Sequence, residues 1–88
     1  MKQVFKYELT MNDHITILLP EGAKILKIDT QHGVPYIWAL VDLETAPNEE
    51  RIFRIAGTGH IIDEDKLGFI DTFQMDGGDL IFHVFEIL

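Results

Sequence analysis

The segment Leu67-Gly68-Phe69-Ile70-Asp71-Thr72-Phe73-Gln74-Met75-Asp76-Gly77-Gly78-Asp79-Leu80-Ile81-Phe82-His83-Val84-Phe85-Glu86-Ile87-Leu88 decides the fold class. Its first part sets Leu67, Phe69, Phe73 and Met75 against Gly68, Ile70, Thr72 and Gln74, the period of two that marks a strand. Asp76 to Asp79 is a hairpin turn, because consecutive glycines accept the positive φ of primed turns. Leu80 to Leu88 returns with Leu80, Phe82 and Val84 opposite Ile81, His83, Phe85 and Ile87. An antiparallel hairpin closes the chain.

Upstream the same period recurs. Val4 to Thr10 alternates, with Phe5, Tyr7 and Leu9 inward and Lys6, Glu8 and Thr10 outward; Asn12-Asp13 turns the chain. His14 to Leu19 points Ile15, Ile17 and Leu19 inward and ends at Pro20-Glu21-Gly22, a proline–glycine turn. Ala23 to Thr30 sets Leu26 and Ile28 inward, yet Lys24 shares that parity and Ile25 opposes it. These exceptions suggest an edge, a bulge or a covered outer face. After the turn Gln31 to Pro35, Tyr36 to Val41 is apolar on both parities, as is Leu80 to Leu88. Asp42 to Glu50 reads as a loop, Arg51 to Ala56 as a fifth strand, and Ile61-Ile62 as a brief return to pairing. Seven short strands at roughly 8–12-residue spacing with little or no helix predict an all-β antiparallel sandwich or barrel, by default a meander.

The chain has 88 residues, expected to form one domain over 1–88. Cysteine and serine are both absent, which removes disulfides, cysteine-bound metal and the commonest hydroxyl and thiol nucleophiles. Seven basic residues against fifteen acidic leave a net charge of −8, opposed to broad nucleic-acid binding but not to one local basic pocket. No apolar run reaches the length of a membrane span, and charge at Lys2 and Lys6 interrupts any signal-peptide core, so a cytoplasmic protein is expected. The two doubly apolar strands offer more apolar surface than one small core needs. They predict a homo-oligomer that buries the second face, unless long loops fold over it.

The segment Gly57-Thr58-Gly59-His60 is the most suggestive for ligand binding. Glycine N–H groups, a hydroxyl and an imidazole could meet an anion, with Arg54 just upstream, although no helix follows as in a phosphate loop. The competing reading is a glycine-rich bend. Trp38 reads first as the core of a central strand; alternatively, Trp38 with Tyr36 could stack a base while Arg51, Arg54, Lys24 or Lys27 meet phosphates. Asp63-Glu64-Asp65-Lys66-Leu67-Gly68 falls short of a calcium loop, since Leu67 and Gln74 stand where ligands are needed. His14, His32, His60 and His83 have no metal-ligand spacing. No metal, cofactor or catalytic residue is assigned, and the chain is expected not to be an enzyme.

Several segments together carry a family likeness: Leu19-Pro20-Glu21-Gly22-Ala23-Lys24-Ile25-Leu26, Trp38-Ala39-Leu40-Val41-Asp42, Phe53-Arg54-Ile55-Ala56-Gly57-Thr58-Gly59-His60, Thr72-Phe73-Gln74, Gly77-Gly78 and Phe82-His83-Val84-Phe85-Glu86. Over nearly its full length the chain resembles a family of small tailed-bacteriophage proteins of unknown function. The resemblance implies a phage-encoded protein made in the host bacterial cytoplasm and carries over no site residues. With it, the leading expectation is a non-enzymatic accessory or counter-defence factor. It would act as a homo-oligomer that blocks a host protein or sequesters a small anionic, nucleotide-like ligand at Trp38, Arg54, Gly57, Thr58, Gly59 and His60. A self-associating structural or assembly component is the second reading, and a small hydrolase with a carboxylate and histidine site the third.

Overall fold

A computed structural model describes all 88 residues. Seven strands form two antiparallel sheets: β1 (Lys2–Glu8), β2 (His14–Pro20), β3 (Lys24–Gln31), β4 (Val34–Asp42), β5 (Pro47–Gly57), β6 (Leu67–Met75) and β7 (Leu80–Ile87). The only helical element is a single 3-10 turn, Asp76–Gly78. The three-stranded sheet runs β1-β4-β3 and the four-stranded sheet runs β2-β5-β7-β6. The expected all-β sandwich is present, but it is not a meander. Consecutive strands pair only in the β3–β4 and β6–β7 hairpins, whereas β1 pairs with β4, β2 with β5 and β5 with β7. The chain repeatedly crosses between sheets, which lays β3 against β6 and β2 against β4.

Both hairpins follow from their turn residues. His32 and Gly33, with φ of 52° and 78°, form the two-residue link between Gln31 and Val34, the primed geometry that matches strand twist. Asp76, Gly77 and Gly78 all take positive φ between Met75 and Leu80. Between the sheets lies one cluster: Leu9, Leu19, Ile28, Ile37, Ala39, Val41, Phe53, Ile55, Phe73 and Val84 are buried in it with Ala23.

Four strand-level expectations change. β5 begins at Pro47 rather than Arg51, because Leu18, Leu19 and Pro20 of β2 supply backbone partners for Glu50, Glu49 and Pro47. β3 shifts register between Ile25 and Lys27, so Leu26 points outward and Ile25 packs on the core. β6 shifts between Phe69 and Asp71; Phe69 is then 63% exposed while Phe73 is buried. Each bulge inserts one residue and reverses the alternation beyond it. Ile61 and Ile62 do not pair: Thr58 to Lys66 is a loop, and Ile61 is 80% exposed.

Candidate functional site

On β4 the buried residues are Ile37, Ala39 and Val41, so Tyr36, Trp38 and Leu40 necessarily face outward. Trp38 is therefore not core. It stands half-buried at the centre of the outer face of the three-stranded sheet, its ring edge-on to Tyr36 at 5.8 Å. Cross-strand register fixes its neighbours. One row reads Lys6–Trp38–Lys27, the next Val4–Leu40–Lys24, and the row on the other side Glu8–Tyr36–Asp29; Lys2 lies opposite Asp42. The β3 bulge adds Leu26 to this face. Four of the five lysines of a chain with net charge −8 thus share the face of the one tryptophan, with Lys6 and Lys27 in its own row.

Beside Trp38 a groove of about 420 Å³ is lined by Val4, Leu26, Lys27, Asp29, Gln31 and Trp38, within the size range of small-ligand sites. Lys27 is the cation that lines it, paired with Asp29, while Lys6 flanks Trp38 on the β1 side. Lys6 Nζ donates to Gln31 Oε1 at 2.6 Å and lies 4.5 Å from the centre of the Tyr36 ring. Lys27 Nζ sits 3.1 Å from Asp29 Oδ2. The backbone N–H of Thr30, with help from Lys27, holds the Asp29 carboxyl below the usual carboxylate range. The arrangement presents a flat aromatic surface between two cations, chemistry suited to stacking a planar ring and neutralising an attached anion.

A larger cleft, about 600 Å³, opens along the seam where β3 meets β6. Asp29, Asp71 and Asp76 face it against Lys27 alone, so it repels an anion. Asp71 spans the seam, its Oδ2 accepting the backbone N–H of Ile28 at 2.9 Å. No group of three or more His, Asp or Glu side chains is gathered as a metal site.

The remaining residues singled out from the sequence lie elsewhere. Arg54 points outward from the four-stranded sheet, between His14 and Phe85, and the Thr58–Lys66 loop folds over it. Only 8% exposed, it donates to the carbonyls of Ile55 at 2.6 Å and Ile61 at 3.0 Å. Its Nε lies 2.8 Å from Glu64 Oε1, a close ion pair off the line of a hydrogen bond. Arg54 thereby ties loop to sheet, its guanidinium turned to protein partners. Arg51 is likewise engaged in a bidentate pair with Glu86 at 2.7 Å, which raises the Arg51 pKa.

Gly57, Thr58, Gly59 and His60 form a tight bend in which His60 N–H donates to the Gly57 carbonyl and Gly59 adopts φ 87°. The bend lines a groove of about 320 Å³ whose one charged side chain is Asp79. His83 is hydrogen-bonded to the hydroxyls of Thr58 at 2.7 Å and Thr72 at 3.0 Å. Trp38 and Arg54 stand on opposite outer faces of the sandwich, so they do not form one pocket. Tyr36, Lys24 and Lys27 do join Trp38. Lys2 and Lys6 escaped sequence reasoning because only the β1–β4 pairing brings them there.

These features define a class: a two-sheet β-sandwich with one aromatic, lysine-ringed sheet face and no helix long and apolar enough to cross a membrane. The chain belongs to the family described as a domain of unknown function (DUF7352), which matches residues 1–87. No curated protein and no solved structure matches it.

Proposed function

We propose that this chain is a non-enzymatic binding protein that sequesters a small anionic, nucleotide-like ligand on the Trp38 face. The observation that carries the reading is the placement of Lys6 and Lys27 on either side of Trp38, with Lys2 and Lys24 on the same face of an otherwise acidic chain. A stacked base would cover the indole, and the phosphates would reach Lys6 or Lys27. The likeness to small tailed-phage proteins adds the context: an accessory or counter-defence factor working as a homo-oligomer in the host bacterial cytoplasm. A second reading, a self-associating structural component, is favoured by the exposed apolar side chains Leu18, Ile52 and Phe69 on the other sheet's outer face.

Trp38 is the only tryptophan, so its fluorescence reports directly on the site. Titration with a panel of linear and cyclic nucleotides should quench it and raise the melting temperature. Trp38→Ala, followed by calorimetry, should weaken binding about 10-fold or more, given stacking contributions of ~1–3 kcal/mol per base. Lys27→Ala should weaken it several-fold. Unchanged fluorescence and melting temperature at millimolar nucleotide would refute the ligand reading and leave self-association.

A further inference from the structure

Strand β1 is incompletely covered in a way no other strand is. Of its seven residues only Tyr7 is half-buried, and its two apolar side chains on opposite faces, Val4 at 51% and Phe5 at 42%, are both open to solvent. Phe5 has the inward parity expected of it, but the nearest strand of the other sheet, β2, approaches β4 instead. β1 overhangs the sandwich as a lip. It also pairs along one side only, with β4, so its other edge presents unpaired backbone N–H and C=O groups.

The geometry points to a second copy of this chain as the occupant of that edge, joined β1 to β1 in antiparallel register about a twofold axis at Phe5. The sequence Lys2-Gln3-Val4-Phe5-Lys6-Tyr7-Glu8 is complementary to itself in that register. Lys2 meets the partner's Glu8, Glu8 meets the partner's Lys2, Val4 packs on the stem of the partner's Lys6, and the two Phe5 rings cover one another. Sliding the register by two residues one way sets Lys2 opposite the partner's Lys6; sliding it the other way sets the two Lys6 residues face to face. Like charges directly opposite are unfavourable and opposite charges favourable, so one register is selected.

The inference rests on the oligomeric, ligand-binding reading above and adds what assembly does to the site. Even-numbered residues of β1 stay outward across the new edge, so the two aromatic faces merge into one six-stranded surface. The Trp38 row then reads Lys27–Trp38–Lys6 and continues through the partner's Val4, Leu40 and Lys24. The two tryptophans stand three inter-strand steps apart and two residues offset along the strands, about 16 Å. The open flank of each site is closed by the partner's β1, whose Lys6 adds a cation in the neighbouring row.

Sedimentation velocity on the full chain tests this with a charge-reversal cycle. Wild type should be a dimer at tens of micromolar. Lys2→Glu and Glu8→Lys should each weaken the dimer about 10-fold or more, since two favourable pairs become repulsive. The double reversal should recover wild-type affinity to within about threefold, which a merely misfolded variant could not do. Hydrogen exchange should show β1 amides protected in the dimer and open on dilution. A monomeric wild type at several hundred micromolar, an assembly indifferent to both single reversals, a double variant that stays dissociated, or β1 amides unprotected in an assembly would each overturn the proposal. Nucleotide quenching of Trp38 is scored separately. Quenching in a monomer removes this edge and keeps the ligand, while a charge-sensitive dimer without quenching does the reverse.

Discussion

Arg54 is the residue whose chemistry is most constrained by its surroundings. Buried in the protein, its guanidinium donates to the carbonyls of Ile55 and Ile61 and pairs by charge with Glu64, which pins the long loop to the sheet. Arg54→Met removes one member of a largely buried ion pair and leaves the Glu64 carboxylate with only His14 Nε2, 3.4 Å away, beside it. We expect a loss of about 3 kcal/mol, seen as a fall in melting temperature of roughly 12–24 °C, with Trp38 fluorescence titrations unaffected in the folded protein. Asp29 behaves differently. Its folded pKa lies below the unfolded value of about 3.9, so its contribution to stability is present above that pH and is lost as pH falls through the lower folded value. Urea melts of wild type and Asp29→Asn should therefore differ at pH 5–7 and converge on acidification below about pH 4. The same substitution releases Lys27 from its ion pair and should strengthen nucleotide binding a few-fold at pH 7.

At the scale of the elements, the two outermost strands of the β3–β6 seam are joined by one side chain rather than by a ladder. Asp71→Ala would leave the Ile28 N–H of a buried residue without an acceptor, at a cost of about 1–2 kcal/mol by chemical denaturation, and amide exchange at Ile28 should accelerate selectively. The placement of Asp71 also explains where the sequence could and could not be read. Strand existence was legible almost throughout, because inward residues such as Ile15, Leu19, Phe53 and Val84 keep the period of two over whole strands. The hairpin at Gly77-Gly78 was legible from the glycines themselves. The bulges were not: a single inserted residue at Leu26 or Ile70 leaves composition unchanged and merely reverses parity, so Leu26 and Phe69 read as inward when they face water. Pairing partners were equally hidden. Nothing local in Lys2, Lys6 or Trp38 says that β1 lies against β4, yet that pairing creates the lysine ring. Residue type alone suggests Trp38, Tyr36, Lys24 and Lys27, whereas Arg54, near Gly57 in sequence, lies on the opposite outer face from Trp38.

The whole molecule is a slab, with Cα extents of 40 × 32 × 16 Å, so its core is a single layer of interdigitated side chains and its two broad surfaces carry separate roles. One broad surface holds the tryptophan and most of the lysines; the other is closed in part by the Thr58–Lys66 loop. The uneven placement of lysine has a consequence for how the protein meets a charged matrix. A uniformly decorated chain of net charge −8 would pass through a sulfonate resin at pH 7. A slab with four of its five lysines on one side, beside Glu8, Asp29 and Asp42, can lie with that side against the resin and turn most of its fifteen carboxylates to the buffer. Weak retention at about 20 mM salt, abolished by about 150 mM as screening shortens the reach of the lysines, is expected for the native chain. Lys6→Glu with Lys27→Glu should elute in the void. Equal flow-through of both proteins would show that the lysines are too dispersed to act together, so an ordinary ion-exchange column can read the sidedness of the molecule.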